Sequence, residues 1–405
     1  MNTYQELVEE YGSPLFVVDK KKLTSQFEAL SIAFNRLYPT TIAYSYKTNY
    51  LPYLCKTLDS LGACSEIISG FEFDIAKKLG IAGNKIFVNG PYKPEDELEQ
   101  LLAHKCHINA DNLDELATVS RIARKTNRLC DIGIRVNARI GAIPWNKFGF
   151  NLEDGEAQNA VKTIADLGNL RLAGLHMHIG TNISNPDYFH HAVQKLLDFY
   201  ATISSEMPLD YIDLGGGFPS QNAAPLPFSL DEWSVPPIDA YAQAICNPLR
   251  RFFLRRKKPI LILEPGRFLV DEAVSLITRV IAVKTIGGIH SVFVDAGVNI
   301  LPSSYYRTHK IEVINPPDAS NTLTDIYGPL CMQVDLLESG IMIPKLQVGD
   351  LIIIKTCGAY ELSQSIQFIR ARPAVVCVDG KQVTLIRRPE TMSDITSADC
   401  WDVIA

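Results

Sequence analysis

The chain has 405 residues, of which 47% are hydrophobic and 21% are charged, and its formal net charge is −6 at pH 7. This length predicts two domains, and the composition is that of an ordinary globular protein. Charges of both signs are interspersed, which excludes the clustered basic face of a nucleic-acid-binding protein. The longest apolar runs are too short to span a bilayer, and the amino terminus lacks the basic and apolar regions of a signal peptide. Nine scattered cysteines form no CxxC pair, so we expect reduced thiols in the cytoplasm rather than disulfides or a zinc site.

From about residue 40 to residue 265, short β-type runs alternate with helical patterns. The predicted strands are 41–46, 85–88, 131–136, 172–178, 211–214 and 259–263. Helical spacing of apolar residues marks 94–104, 112–125 and 192–205. Alternation over this length predicts a parallel sheet closed into a (β/α)8 TIM-like barrel, which we place at residues 22–267.

After residue 267 the sequence becomes rich in β-type runs separated by Gly, Pro and Asp turns. The predicted strands are 270–285, 291–294, 310–314, 351–356, 374–378 and 382–386. The pattern indicates a mostly antiparallel β domain, to which we assign residues 268–405 together with residues 1–21. The early run 14–18 precedes the barrel and by its sequence fits either domain.

Lys47 follows the first predicted barrel strand, in the segment Tyr44–Asn49. The carboxyl ends of barrel strands are where active sites of this fold lie. Partial burial there favours the neutral amine, which forms an imine with an aldehyde cofactor. Considered alone, a solvent-exposed lysine at a strand end is the more common case.

Two histidines, His176 and His178, stand two residues apart in a predicted strand and would share one face of it. A metal site is disfavoured because no Asp, Glu or Cys stands nearby at ligand spacing. One alternative is a ring on which a flat heteroaromatic cofactor lies, with Thr181 supplying a hydroxyl. The other is a pair of buried histidines bonded to their neighbours.

Two further strand ends carry candidate ligands. Gly215–Gly217 lets the backbone approach an anion closely, although a tight strand-to-helix turn would need the same glycines. Glu264 precedes a Pro-Gly turn and is placed to hold a protonated ring nitrogen, while Gly266 and Arg267 assist a phosphate. The alternative for Glu264 and Arg267 is a surface ion pair of little energetic value. Together with the amine and the ring, these groups predict a site for pyridoxal 5′-phosphate (PLP).

Over nearly its whole length the chain resembles the fold type III, alanine-racemase-type PLP decarboxylases, and among them the diaminopimelate and ornithine decarboxylase family. The motifs that carry the resemblance are 44–49, 69–72, 135–137, 147–149, 176–181, 213–219, 264–267, 294–297, 328–331 and 358–360.

The resemblance implies a role for each matching residue. Lys47 binds the cofactor covalently, His178 stacks on its ring, and Glu264 contacts the ring nitrogen. The phosphate contacts fall to Thr181 (where serine is usual), Gly215, Gly216, Gly217, Gly266, Arg267 and Tyr360. Cys331 is implied to enter the active site of the neighbouring subunit and to serve there as an acid. A head-to-tail homodimer with shared active sites follows.

Decarboxylation is favoured over racemisation. A carboxylate at Glu264 keeps the ring nitrogen protonated and the cofactor a strong electron sink. In the related racemases an arginine contacts that nitrogen, and a Tyr-Gly-His run follows the lysine; here Thr48 and Asn49 follow Lys47. A non-catalytic relative is disfavoured because the lysine, the phosphate glycines and the cysteine are all kept.

The substrate end departs from diaminopimelate decarboxylases. They follow the cysteine with Glu-Ser-x-Asp, whereas this chain has Met332 and, three residues on, Asp335. Their Leu-Ile-Arg-Pro stretch is 300–303 here and lacks the arginine, although Tyr306 and Arg307 lie nearby. Asp335 is a candidate for a distal amine or a local capping residue. We therefore expect a diamino acid or an amino-acid conjugate, free or carrier-bound, as in siderophore or antibiotic biosynthesis. Diaminopimelate decarboxylation in lysine biosynthesis is the alternative.

Overall fold

The computed structural model describes residues 4–125, 129–141, 145–203, 208–316 and 320–401. The chain divides into two compact units. The barrel unit comprises residues 26–219 and 235–268, and the β unit comprises 1–25, 220–234 and 269–405. The sequence pattern places 220–234 in the barrel. That segment belongs instead to the β unit, where Leu226 N–H donates to the carbonyl of Tyr306 and Thr308 N–H donates to that of Ala224.

Eighteen strands and eleven α-helices follow one another along the described parts of the chain. The strands are β1 (Leu15–Asp19), β2 (Thr40–Ser45), β3 (Cys64–Ile67), β4 (Ile86–Val88), β5 (His107–Ala110), β6 (Cys130–Asn137), β7 (Phe150–Asn151), β8 (Leu170–His176), β9 (Tyr211–Asp213), β10 (Ile260–Leu263), β11 (Val274–Ile286), β12 (Ile289–Val294), β13 (Ile311–Ile314), β14 (Asn321–Tyr327), β15 (Leu336–Pro344), β16 (Leu351–Ile354), β17 (Ala374–Asp379) and β18 (Gln382–Arg387). The α-helices are α1 (Tyr4–Tyr11), α2 (Lys20–Asn35), α3 (Pro52–Ser60), α4 (Gly70–Lys78), α5 (Glu95–Ala103), α6 (Leu113–Lys125), α7 (Glu156–Leu167), α8 (Asp187–Ile203), α9 (Ile238–Phe252), α10 (Arg267–Val270) and α11 (Met392–Ile395). Short 3-10 helices span Tyr46–Thr48, Gly83–Lys85, Asp271–Ala273 and Pro302–Tyr305. No described helix combines the length and apolar character needed to cross a membrane.

The barrel unit contains the predicted closed parallel barrel. Its strands follow one another in the order β5-β4-β3-β2-β10-β9-β8-β6, and pairing of β5 with β6 closes the ring. Each of these pairings is parallel. The six strands that the sequence predicted are present within a few residues, but β3 and β5 were missed because they carry polar residues. Among these, Glu66 and Asn109 are fully buried.

Inside the barrel unit Tyr211 occupies a central position. It belongs to a buried cluster with Ala43, Phe87, Ala173 and Ile262. A Cβ atom at Gly174 would lie 2.2 Å from the Tyr211 ring, so glycine there is required for the ring to fit. The Tyr211 hydroxyl donates a hydrogen bond to Oδ1 of Asn109 at 2.7 Å. This hydrogen bond connects the apolar cluster around Tyr211 to the polar side chain of Asn109.

The β unit is the predicted mostly antiparallel domain. Its sheet has the order β15-β14-β12-β11-β1-β17-β18, and β16 pairs with β11 and β13. The pairs β1–β17 and β12–β14 are parallel, and the others are antiparallel. Because β1 lies between β11 and β17, the run 14–18 belongs to this unit rather than to the barrel. Strands β14 and β15 were not predicted.

Arg307 lies in the interior of the β unit with only 1% of its side chain exposed. Its guanidinium donates to both carboxylate oxygens of Asp271 at 2.6 and 3.1 Å and to Glu361 at 2.7 Å. A further hydrogen bond goes to the carbonyl of Thr356 at 2.7 Å. The guanidinium is thus committed to internal partners, which corrects the expectation that Arg307 contacts the substrate.

Asp335 is also buried, and its side chain forms hydrogen bonds with the surrounding backbone. Its carboxylate accepts hydrogen bonds from the N–H groups of Val298 at 2.8 Å and Leu330 at 2.7 Å. A Cβ atom at Gly328 would come within 2.3 Å of this carboxylate, so the turn closes tightly on it. Of the two roles considered for Asp335, the local structural one matches these contacts, and the contact with a distal amine of the substrate does not.

Glu72 takes part in capping the N-terminus of α4. The Ser69 hydroxyl accepts the N–H of Glu72 at 3.3 Å, and the Glu72 carboxylate accepts the N–H of Ile68 at 2.6 Å. The side chain is buried. Burial raises the pKa of Glu72 to about 7, and the nearby charge of Glu66 contributes to the rise. Glu72 therefore binds its proton more tightly in the folded chain than in the unfolded one.

Replacing Arg307 with Met should destabilise the β unit strongly, by roughly 3–5 kcal/mol, because Asp271 and Glu361 lose the cation that compensates them. Urea unfolding of purified protein measures the loss. Arg388→Met is the matched control, since Arg388 pairs with Asp394 at the surface. That variant should change stability little. Equally small losses for both variants would contradict the structural role of Arg307.

Glu72→Gln should alter how stability depends on pH. Between pH 4.5 and 7 the folded chain keeps the Glu72 proton that the unfolded chain loses, so this group makes stability fall as pH rises. The glutamine side chain retains the acceptor for Ile68 without titrating, so the variant should gain up to about 3 kcal/mol relative to the parent across that range. Urea unfolding at several pH values measures the difference. Asp74→Asn, on the exposed face of the same helix, is the matched control and should not reproduce the gain in stability of Glu72→Gln. If the free energy of unfolding of Glu72→Gln and of the parent changed with pH in the same way, the raised pKa of Glu72 would be contradicted.

Candidate active site

Lys47 lies in the 3-10 helix that directly follows β2. Its Nζ atom donates to Oε2 of Glu66 at 3.0 Å, and 37% of the lysine side chain is exposed. Ser45, which pairs in register with Glu66, donates to the same oxygen at 2.5 Å. The lysine is therefore at the predicted strand end, but its amine is paired with a buried carboxylate and not merely shielded from water.

The two histidines have different surroundings because β8 ends at His176. Nδ1 of His178 accepts the N–H of Gly216 at 3.1 Å, so the neutral ring carries its hydrogen on Nε2. Burial lowers the pKa of His178 well below its ordinary value, and the cations of Lys47 and Arg135 lower it further. The His178 ring is thus neutral and fixed in orientation. These are the properties that a ring stacked on a flat cofactor needs.

A buried carboxylate, Glu264, follows β10 on the same face. It accepts a hydrogen bond from Nδ2 of Asn89 at 2.6 Å, and Nε2 of His176 lies 3.4 Å from its other oxygen. Burial alone would raise the pKa of Glu264, but His176, a hydrogen bond with Asp213 and the Lys47 cation bring it below the ordinary value. For Asp213, burial and the charge of Glu264 raise the pKa well above the ordinary value. A proton bound by the pair therefore resides on Asp213 rather than on Glu264.

Carboxylates lie close to His176 in space, although none stands near the two histidines at ligand spacing in the sequence. Ligand atoms of His176, Asp213 and Glu264 lie within 4.8 Å of one another. The three residues are far apart in the sequence, and barrel closure brings them together. Because Glu264 already accepts a hydrogen bond from Asn89, the group suits a single cationic nitrogen better than a metal ion.

Glycines line the other end of the site, after β9 and β10. Gly215 and Gly217 have positive φ angles of 63° and 96°. A Cβ atom at Gly216 would lie 2.3 Å from the carbonyl oxygen of Glu264, and one at Gly266 would lie 1.9 Å from Oγ1 of Thr48. No side chain fits at either position, so the backbone forms a narrow cradle of the kind that binds phosphate. Arg267 is buried beside it, and Thr181 is exposed in the loop after β8.

These groups fit PLP. The amine, the neutral ring, the glycine cradle and the buried anion come from the ends of β2, β8, β9 and β10. Those strands are consecutive in the ring order β2-β10-β9-β8, so their carboxyl ends are neighbours. An amine for the aldehyde, a cradle for the phosphate and an anion for the ring nitrogen are the contacts that this cofactor requires.

Several residues of the site were missed or given no role from the sequence. Glu66 lies in β3, which was not predicted. Asn89 stands directly after β4, and its position at the end of a strand was the only sequence signal that could have made it a candidate. Arg135, His176 and Asp213 were noted within motifs but received no function. Arg135 is buried on β6, with its guanidinium 4.6 Å from the centre of the Phe148 ring.

The remaining predicted site residues belong to the β unit. Cys331 is exposed there, and Tyr360 is half-buried with a positive φ of 78°. Met332 is 37% and Tyr306 is 40% exposed. Met332 and Tyr305 line a small apolar cavity of about 140 Å³ with Val298, Asn299, Ile366 and Phe368. Arg307 and Asp335 are committed to internal contacts, as described above.

Comparison with known proteins agrees with this chemistry. A family model described as "Pyridoxal-dependent decarboxylase, pyridoxal binding domain" matches residues 20–271, which is more than half of the chain. A diaminopimelate decarboxylase of Aquifex aeolicus is 32% identical over 402 residues, covering 95% of this chain and 91% of that protein. One from Neisseria meningitidis is 33% identical over 406 residues, covering 96% and 95%.

Solved structures show the same similarity. The crystal structure of diaminopimelate decarboxylase from Methanocaldococcus jannaschii matches with a TM-score of 0.89 at 28% identity, covering 98% of this chain and 94% of that one. The enzyme from Helicobacter pylori in complex with L-lysine matches with a TM-score of 0.88 at 28% identity, covering 98% and 99%. The chain therefore belongs to the pyridoxal-dependent decarboxylases, with PLP as its cofactor and an amino acid as its substrate.

Proposed function

We propose that the protein decarboxylates diaminopimelate to lysine. The observation that carries this proposal is the buried, ionised Glu264 at the carboxyl ends of the barrel strands. It is combined with a similarity to enzymes of that name that extends over nearly the full chain. This substrate is the alternative that the sequence leaves open, and the comparisons favour it over a conjugated amino acid.

The site residues fall into two groups, one that binds the cofactor and one that transfers a proton. When bound, PLP supplies an electron sink for the electron pair that remains on Cα after CO2 leaves. Lys47 anchors the aldehyde, His178 supports the ring, and the cradle of Gly215–Gly217 and Gly266 holds the phosphate together with Arg267 and Thr181. Glu264 keeps the ring nitrogen protonated through its negative charge.

Protonation of Cα completes the reaction. We assign this step to Cys331, contributed by the second subunit of a homodimer in which the active sites are shared. The exposed position of Cys331 in the β unit supports a role at a subunit boundary. Lys47 is the second candidate for the proton donor, since its amine and the Glu66 carboxylate are in contact.

A second substrate class is favoured by the residues at the predicted substrate end. Arg307 and Asp335 are occupied by internal partners, and the exposed Met332 and Tyr306 carry no charge. None of these four residues is placed to offer a charge to the distal end of diaminopimelate. This favours an amino acid with an uncharged or conjugated distal end, as used in siderophore or antibiotic biosynthesis.

The substrate proposal is tested by incubating PLP-loaded protein with meso-diaminopimelate and measuring CO2 and lysine. Ornithine, lysine, arginine and citrate-conjugated diamino acids serve as the comparison panel. We expect diaminopimelate to give the highest kcat/KM. Preference for a conjugated amino acid would replace the first proposal with the second. Lys47→Ala is the control, and it should lose both turnover and the visible absorbance of the bound cofactor.

Cys331→Ala should retain the visible absorbance of bound PLP while slowing product formation by roughly 10²–10⁴-fold, because a general acid is removed. Stopped-flow and steady-state assays measure the rate. Cys400→Ala removes the other exposed cysteine and should have no effect. Normal rates in Cys331→Ala would transfer the proton-donor role to Lys47.

A further inference from the structure

Between the lysine and the ring-nitrogen carboxylate lies an amide to which no function has been given. We propose that Asn89 is a positioning residue that donates hydrogen bonds to two buried carboxylates at once, so that Glu66 orients the Lys47 amine while Glu264 holds the ring nitrogen of PLP. The inference rests on the cofactor roles proposed above for Lys47 and Glu264, and it does not depend on which amino acid is the substrate.

Asn89 follows β4 and is buried. Its Nδ2 atom donates to Oε1 of Glu66 at 3.1 Å and to Oε1 of Glu264 at 2.6 Å. A primary amide nitrogen carries two hydrogens, so each carboxylate receives one. One side chain thus links the carboxylate at Lys47 to the carboxylate beside His176.

The orientation of this amide is determined by its other partners. Oδ1 of Asn89 accepts a hydrogen bond from Nδ2 of Asn109 at 2.9 Å, and Oδ1 of Asn109 accepts one from the Tyr211 hydroxyl at 2.7 Å. All three side chains are buried. With the amide reversed, its oxygen would face two carboxylate oxygens and its NH2 group would face the NH2 group of Asn109. Only the observed orientation satisfies every member of the chain.

Two like charges in one buried site tend to share a proton, which leaves one of them neutral. Hydrogen-bond donors offset that tendency. Glu66 receives them from Lys47, Ser45 and Asn89, and Glu264 receives one from Asn89 beside His176. Asn89 donates a hydrogen bond to each carboxylate and is itself uncharged.

Other charged groups face this pair from the surrounding strands. They are Lys47 after β2, Arg135 on β6, His176 on β8, Asp213 on β9 and Glu72 on α4. Burial and the charge of Glu264 raise the pKa of Asp213, so this carboxyl group is poorly suited to be a second anion beside Glu264. Loss of the Asn89 donor removes the hydrogen bonds that Glu66 and Glu264 receive from one amide, and Glu264 then takes up a proton more readily.

Asn89→Leu removes the donor at similar volume. We expect PLP affinity to fall about 10–100-fold, as for other residues that support direct ligands. We also expect the pH midpoint of the visible absorbance of bound PLP to move upward by about one unit, a tenfold change in proton affinity. The reason is that a protonated Glu264 no longer holds a positive charge on the ring nitrogen near the nitrogen of Lys47. Both measurements use protein and PLP without substrate, so they stand whatever the substrate panel shows.

The decisive comparison is a double-mutant cycle. Glu66→Gln removes one of the two charges, so Asn89→Leu should move the midpoint much less in the Glu66→Gln background than in the parent. Asn169→Leu is the matched control, because it removes a half-buried amide bonded to Ser120 immediately before β8; it should leave the midpoint unchanged. An unchanged midpoint in folded Asn89→Leu, or an equal shift in both backgrounds, would overturn the proposal. Should Asn89→Leu fail to fold, Asn89→Ser keeps one donor and should show a smaller shift in the same direction.

Discussion

A carboxylate that stays ionised inside the barrel is the constraint on which the site depends. Removing a charge from water costs several kcal/mol unless partners compensate it. At Glu264 the compensation comes from the amide of Asn89 and the ring of His176, while burial and the charge of Glu264 raise the pKa of the neighbouring Asp213. Each partner comes from a different strand, so only the closed barrel supplies the whole set. In the function proposed above, this negative charge keeps the ring nitrogen of the cofactor cationic.

Much of this arrangement was predictable from the sequence. Residues for which we propose direct cofactor contacts, such as Lys47, Gly215–Gly217 and Glu264, follow apolar strands and stand out by their type. The supporting residues do not. Glu66 and Asn109 lie in strands whose polar side chains face other polar groups inside the barrel, so β3 and β5 lack the apolar pattern that marks a strand. What makes these residues functional is pairing across the barrel, which no local pattern records.

The β unit shows a second limit of sequence analysis. Arg307 and Asp335 stand beside motifs that resemble substrate-binding positions, and linear proximity made both of them candidates. Their partners show otherwise: Asp271 and Glu361, which accept hydrogen bonds from the Arg307 guanidinium, are 36 and 54 residues away in the sequence. Burial of a charged residue depends on such distant partners. The same applies to segment 220–234, whose backbone bonds join it to residues near 306 rather than to the barrel strands that flank it in sequence.

Closure of the barrel also has a consequence for how the enzyme is made. Strand β2 begins the ring and β10 completes it, and the two pair directly with Thr41 opposite Ile262. Lys47 and Glu264, which follow these two strands, are therefore brought together only after the ribosome has delivered the last barrel strand. In the β unit, β1 likewise pairs with β17, a strand that is synthesised much later. A nascent chain that has not yet reached β10 therefore lacks the pair of neighbouring strands whose ends carry Lys47 and Glu264.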